Sequence, residues 1–373
     1  MSLARDIADL GAVTSRLDTV GAASGSFGVG RNVVINGAMN VAQRATSATG
    51  LGGGSDSYPT VDRFVVSQSA TAGRYTKTQT ADGPSGFANC IKLDCTTADT
   101  SIASGEVLLL RQRIEGQDLQ RFAKGTSDAK PFALSFYVKG NASATYVAEL
   151  MDNDNSNRHV SKTFAVTTSW NRIEIIFPAD TTGAFDDDNG ASLDLNIWLH
   201  SGSDRTSGTL QETWGALSQT SRAVGTSSFF SSTDNTFFIT GIQLEETSVT
   251  DFEHRTFDDE LQRCFRYFES KAFHTFIGIG YSNITTGGHV LLPYLEKRAV
   301  PTVTLPAAGQ STGQVSFLQS NGSYPSTTGS NTVYNATKNQ ARIQGASYSG
   351  LTGASVSAFF ISGDGTVTID AEL

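Results

Sequence analysis

The sequence predicts an all-β protein: a β-sandwich of the jelly-roll type, then a smaller distal β domain, with a short helix at the N-terminus. Three observations predict it. Many short segments alternate apolar and polar residues with a period of two, as in Leu193-Asp-Leu-Asn-Ile-Trp-Leu199. There Leu193, Leu195, Ile197 and Leu199 take one strand face, and Asp194, Asn196 and Trp198 the other. Gly, Asn, Asp and Ser clusters stand between these segments and serve as turns. Helical spacing is confined to Ser2–Val20 and Thr256–Phe268, so strands are not linked by helices and two facing sheets are the expected arrangement.

The elements follow in order. Residues 1–30 form an N-terminal helix and hinge: Leu3, Leu10 and Leu17 stand seven apart, with Val13 and Val20 completing an a/d seam of under three heptads. Alone in water such a helix is marginal, so other copies, a docking surface or its own domain must bury the seam. Gly21–Gly30 is rich in Gly and Ser and reads as the hinge. Residues 31–255 form the sandwich, with strands expected at Asn32–Asn36, Phe64–Val66, Ile91–Asp94, Val107–Leu110, Phe132–Val138, Tyr146–Leu150, Arg172–Phe177, Leu193–Leu199 and Phe237–Leu244. Residues 256–272 hold a connecting helix in which Leu261 and Phe265 share a face. Residues 273–373 form the distal domain, with strands at Phe273–Ile279, Gly288–Leu292, Pro301–Leu305, Val315–Leu318, Val356–Ile361 and Thr366–Ile369. Gly309–Asn339, rich in Ser, Thr, Asn and Gly, reads as exposed loops.

Composition narrows the function. A net charge of −9 argues against binding a phosphate backbone, which needs clustered Lys and Arg, so nucleic acid is not an expected partner. Charged residues interrupt Met1–Val20, so no leader is expected there, and no run approaches the roughly 18 apolar residues of a membrane span, so insertion in a membrane is not expected. Cys90, Cys95 and Cys264 are odd in number and lack metal-ligand spacing, which points to manufacture in a reducing cytoplasm without disulfides or zinc.

No catalytic residues are expected. The five histidines show neither His-x-Glu nor His-x-x-x-His spacing. A carboxylate pair such as Asp186 with Glu212 is what chance gives among 36 acidic residues. Two acidic clusters, Asp152–Asn155 and Asp186–Asn189, read as turns; Asp186, Asp187 and Asp188 are the better calcium ligands, because three adjacent carboxylates otherwise repel one another. No cofactor is expected other than calcium at that run. Sugar binding needs flat aromatic faces beside planar hydrogen-bonding groups. Trp170, Trp198, Trp214 and Tyr146 are the aromatic candidates in the sandwich, and Trp198, opposite Leu195 and Ile197, is expected to be exposed or in an intersubunit contact. In the distal domain Tyr281, Tyr324, Tyr334 and Tyr348 lie among Ser, Gly and Asn, as on other Tyr-rich recognition surfaces.

Six segments then occur in a telling order: Asn32-Val-Val-Ile-Asn-Gly-Ala-Met-Asn-Val-Ala-Gln-Arg44, Thr60-Val-Asp-Arg-Phe64, Gln112-Arg-Ile-Glu-Gly116, Lys130–Lys139, Phe238-Ile-Thr-Gly-Ile-Gln-Leu-Glu245, and Asp251-Phe-Glu-His-Arg255 followed by Arg263-Cys-Phe-Arg-Tyr-Phe268. Together they resemble tail fibre and minor tail structural proteins of tailed bacteriophages, over about Arg31 to Phe268. The resemblance implies a jelly roll similar to carbohydrate-binding modules, a homotrimer whose N-terminal seam is a trimeric coiled coil, and a place in the virion tail. Apart from the resemblance, the missing site chemistry gives the expectation that the chain is not an enzyme. The expected partners are other copies of the chain, phage tail proteins through the N-terminal segment, and a host-surface glycan or protein through the distal domain. Two other readings stand beside it: an architectural tail adaptor or collar, and a secreted carbohydrate-active enzyme or its binding module.

Overall fold

A computed structural model describes residues 30–54, 56–273, 278–284, 287–306, 314–319, 330–346, 355–362 and 365–373. The helix expected at Ser2–Val20 lies outside the described residues. From Ser47 to Glu246 eleven strands form two antiparallel sheets facing each other: β1 (Ser47–Leu51), β2 (Val65–Ser69), β3 (Arg74–Thr80), β4 (Cys90–Thr97), β5 (Val107–Glu115), β6 (Phe132–Gly140), β7 (Ala144–Asp152), β8 (Arg158–Val166), β9 (Asn171–Phe177), β10 (Ala191–Ser201) and β11 (Thr236–Glu246). One sheet runs β1-β3-β4-β11-β6-β9 and the other β2-β5-β10-β7-β8. The chain crosses repeatedly between the sheets, and the result is a jelly-roll sandwich. Its inner faces meet in a core of Phe64, Tyr75, Phe132, Phe136, Phe177, Phe237 and the aliphatic residues around them. A Phe or Leu side chain taken fully out of water contributes about 1.5–3 kcal/mol, so this aromatic interior is the main source of stability.

Parity along β11 shows how the sequence meets the pleat. Phe237 and Ile239 point into the core, yet so do Ile242 and Leu244. A β-bulge between Thr240 and Gln243 changes the parity, and Gly241 makes it feasible with φ +63°, where a Cβ would lie 2.7 Å from the Phe87 ring.

The strand expected at Asn32–Asn36 is instead a buried loop and turn. Two asparagine side chains compete with the ladder there. Asn32 Oδ1 accepts from Val34 N and Leu244 N while its Nδ2 donates to Ile242 O; Asn36, at φ +61°, donates from Nδ2 to Val41 O and Asp62 O. Asn tolerates this left-handed backbone better than most residues, and its amide satisfies the polar groups a strand partner would have paired.

The connecting helix spans Phe257–Phe265. Thr256 caps it, Oγ1 accepting from Asp259 N at 3.2 Å, and Asp258, Asp259 and Glu260 load its first turn with the negative charge that its dipole favours. Cys264, Tyr267 and Leu261 pack on Ile35 and Val41. Among the described residues no helix is long and apolar enough to cross a membrane.

After the helix come β12 (Phe268–Phe273), β13 (Gly278–Ile284), β14 (Gly287–Pro293), β15 (Thr302–Thr304), β16 (Gln314–Gln319), β17 (Ser330–Ala336), β18 (Gln340–Ala346), β19 (Ser355–Ser362) and β20 (Gly365–Asp370). The segment Phe273–Ile279, expected as one strand, spans the end of β12 and the start of β13. A small sheet, β12-β20-β15, forms the base, and a six-stranded sheet runs β16-β19-β13-β14-β18-β17. β16 contains the strand expected at Val315–Leu318, whereas β17 falls in the stretch expected to be loops. β17 is an edge strand with exposed side chains, paired to β18 through its backbone, and polar residues suit such an edge while giving no apolar period to read.

The C-terminal unit is bolted to the sandwich at its base. Glu372 pairs with the buried Arg63 and, at 3.4 Å, with Arg44; Arg44 also holds Asp370 at 3.1 Å and lies 3.5 Å over the Phe268 ring. The Arg63 guanidinium lies 3.4 Å over the Tyr267 ring. Arg266 grips Glu115 with two hydrogen bonds, and buried Lys297 donates to Phe265 O and Glu269. Gln112 closes a reciprocal pair with the backbone of Ile35, and Glu253 accepts from Asn32 N at 2.8 Å. Arg44, Arg63, Glu115, Arg266 and Tyr267 of the ordered sequence segments are struts of this junction, while Asn32, Gln112 and Glu253 of the same segments tie the loop at Asn32–Asn36 to the sandwich.

Candidate functional site

The outer face of β10 corrects one expectation at once. Trp198 was expected at the surface, but only 1% of it is exposed. The segment from Gly208 to Gly225 lies over this face of the second sheet: Ser161 N donates to Gln211 O, Gly215 and His159 form a β-bridge, and Leu210 and Ala223 pack with Trp198. Beneath it Trp198 Nε1 donates to Glu149 Oε2 at 2.9 Å, and Arg222 holds the same carboxylate while its guanidinium lies 4.9 Å over the indole. Arg222 keeps Glu149 ionised, far below the usual carboxylate range despite its complete burial. Trp198 is therefore packing under a covering loop and has no face for a sugar.

The other sandwich aromatics divide. Tyr146 is buried against Phe164 and Phe237, and Trp214 packs on Phe132 with its indole N–H on Pro178 O. Trp170 is half-buried beside Phe238, with Lys139 5.2 Å from its ring; Lys139 is itself held by Asp82 at 2.8 Å.

The acidic run forms turns, as its residue types favour. Asp186, Asp187 and Asp188 are exposed and do not converge. Asp186 N donates to Asp154 Oδ2 at 3.0 Å, Asp188 Oδ1 accepts from Gly190 N at 2.7 Å, and the Asp188 carbonyl accepts from Gln117 N. They act as turn residues, and among the described residues no three His, Cys, Asp or Glu side chains gather as metal ligands. Asp152, in the other acidic cluster, is fully buried and paired with Lys124.

Of the four distal tyrosines, Tyr324 and Tyr348 lie outside the described residues. Tyr281 sits in β13 at the register position opposite His289; its side chain is not among those described. Tyr334 is well placed for contact. It is the bulged residue of β17, between Val333 and Asn335, and 60% of it is exposed. The extra residue breaks the alternation and turns the ring outward. Its neighbours come from register: β14 pairs with β18 as His289↔Gln344, Leu291↔Arg342 and Pro293↔Gln340, so these six stand on one face while Val290, Leu292, Ala341 and Ile343 pack beneath.

The Arg342 guanidinium lies 3.9 Å over the Tyr334 ring, and the His289 ring is 6.0 Å away. Leu291, Tyr334, Asn335, Thr337, Gln340 and Arg342 line a depression of about 240 Å³. No carboxylate is among these residues, so the guanidinium gives the depression a positive charge on a chain of net −9. Burial and the Arg342 charge lower the His289 pKa, so it stays neutral to lower pH than a free histidine. The face thus offers an aromatic ring, a planar cation, a planar amide at Gln340, a hydroxyl at Thr337 and an apolar patch at Leu291. It can stack against a ring, hydrogen-bond hydroxyls and pair with an anion, and it holds no nucleophile with a base. Sequence reasoning found Tyr334 but missed Arg342, Leu291, His289 and Gln340. The signal was present, since Gln340-Ala-Arg-Ile-Gln344 alternates as a strand should.

No family model and no curated protein matches the chain. Solved structures do. A CBM4 structure matches at 10% identity and TM-score 0.30, over 57% of this chain and 98% of its own. A family 11 carbohydrate-binding module from a cellulosomal cellulase of Clostridium thermocellum matches at 12% identity and TM-score 0.28, over 52% of this chain and 95% of the module. The enzymatically active domain of Bacteriophage CBA120 tailspike protein 4 matches at 13% identity and TM-score 0.28, over 58% of this chain, which spans 21% of that one.

Proposed function

We propose that this chain is a structural subunit of a bacteriophage tail fibre, located in the virion tail, and that it attaches to a host-surface glycan through the face formed by β14, β17 and β18. Its work at that face is binding without turnover. The observation that carries the binding reading is Tyr334, exposed and braced by Arg342 in a depression with planar polar side chains and no carboxylate. The fibre reading is supported by the six ordered segments between Asn32 and Phe268. Three copies would present three such faces, so weak single-site affinity becomes durable attachment once one face is engaged. In solution the full chain is expected to show a mass of three chains by light scattering; a monomer would contradict the fibre assembly.

Attachment is tested with phage carrying Tyr334→Ala. Removing residues 273–373 would also remove Glu372 from Arg63 and so disturb the sandwich, whereas Tyr334 supports nothing beneath it. Particles that assemble normally and adsorb at least tenfold less support the reading. Normal adsorption by the variant would overturn it.

A further inference from the structure

A second polar site lies at one end of the sandwich, away from β17 and β18. His200, which a bulge in β10 sets opposite Leu108 of the core, packs on Phe230 and is completely buried, and both its ring nitrogens are engaged. Nε2 lies 2.9 Å from Glu106 Oε2 and Nδ1 lies 2.8 Å from Ser228 Oγ. Glu106 is 3% exposed, and its other oxygen accepts from Ala103 N at 2.9 Å, which fixes the carboxylate in place. These contacts set the tautomer. A carboxylate only accepts, so the imidazole proton sits on Nε2, and the lone pair of Nδ1 faces the serine hydroxyl. Ser228 is half-exposed, and with Asn141, Ser143, Ser227, Ser231 and Asn235 it lines a pocket of about 160 Å³. A serine of the pocket lining, a base on its hydroxyl and a buried carboxylate behind the base stand in the order nucleophile, base and orienting group.

We propose that Ser228 is the nucleophile, His200 the general base and Glu106 the positioning residue of an esterase site that removes small acyl groups from sugar hydroxyls. Ser228 Oγ attacks the ester carbonyl as its proton passes to His200 Nδ1. The tetrahedral adduct collapses, the C–O bond to the sugar breaks, and the same proton leaves with the sugar oxygen. Water then attacks the acyl-serine, giving its proton to Nδ1; that proton returns to Ser228 Oγ as the carboxylic acid departs. Nothing is oxidised or reduced, and water is the only co-reactant. Asn141, whose Oδ1 accepts from Thr236 N at 2.8 Å, lines the same pocket, and the proposal assigns its amide N–H to the developing oxyanion. The small pocket sets the acyl size near acetyl, and its hydroxyl and amide walls suit a polar alcohol such as a sugar.

This site does not depend on binding at Tyr334. The test uses the purified full chain with a fluorophosphonate probe and, separately, p-nitrophenyl acetate. The expected result is one phosphonyl adduct, located by peptide mass at Ser228, and hydrolysis that Ser228→Ala lowers about 100-fold or more at unchanged melting temperature. Glu106→Gln is expected to slow labelling at least tenfold while Ser228 remains the labelled residue, a result that a purely architectural Glu106 would not produce. An unlabelled wild-type chain, an adduct on another residue, or equal hydrolysis by wild type and Ser228→Ala would overturn the proposal. Tyr334→Ala should leave labelling unchanged.

Discussion

The sandwich and the C-terminal unit place their charged and aromatic side chains in opposite ways. In the sandwich and its junction, Arg63, Lys77, Glu149 and Trp198 are buried, each spent on holding one segment against another. On the β14–β18–β17 face, Tyr334 and Arg342 hold each other and face solvent. A buried charge left without its partner is costly, so the sandwich residues are constrained by the fold. The exposed pair carries no such constraint and is free to be chosen by what it touches.

That contrast can be broken at several points. The largest effect is expected from Arg63→Ala, which leaves the buried Glu372 carboxylate with Arg44 alone and strips the cation from the Tyr267 ring, and should cost about 3 kcal/mol, read by urea unfolding. A loss under 1 kcal/mol would mean the junction does not couple the two regions. Lys77 comes next. It is fully buried with Nζ on Phe64 O, and burial lowers its pKa to about 7. The unfolded chain then holds a proton that the folded chain lacks between about pH 7 and the ordinary lysine value of about 10.4, so stability should rise with pH across that window, by up to about 1.4 kcal/mol per pH unit. Lys77→Met should remove that rise; an unchanged pH profile would place the lysine's charge elsewhere. Thr256→Ala should cost about 1 kcal/mol through loss of the helix cap, measured the same way. Smallest of all, Tyr334→Ala should change stability by no more than about 0.5 kcal/mol, because an exposed ring braced only by a surface guanidinium supports no core.

The two regions also differ in how much of them the sequence reveals. Alternation in Leu193–Leu199 and Phe132–Val138 exposes the strands, because a half-buried strand must put apolar residues on every second position. It misled at Trp198, since a strand's own period says nothing of a loop laid over its outer face, and at Asn32–Asn36, where side-chain amides displace the ladder. The ordered segments that resemble tail fibre proteins turn out to supply junction struts such as Arg63 and Arg266. Those residues mark a scaffold. Tyr334 could be singled out from its polar surroundings, but Arg342 and Leu291 reach it through pairing of β14 with β18, about fifty residues apart, which no local pattern encodes. Likewise Glu106, His200 and Ser228 meet only because β5 and β10 are neighbours and the chain before β11 folds back over them.

The central claim is that the exposed face recognises glycan while the buried networks of the junction hold the fold. Calorimetric titration of the purified full chain with host-surface polysaccharide tests it most directly. The account predicts saturable binding that Tyr334→Ala and Arg342→Ala each weaken at least tenfold, about 1.4 kcal/mol, with unfolding unchanged. Affinity unchanged in both variants, or no binding by the wild-type chain, would contradict it.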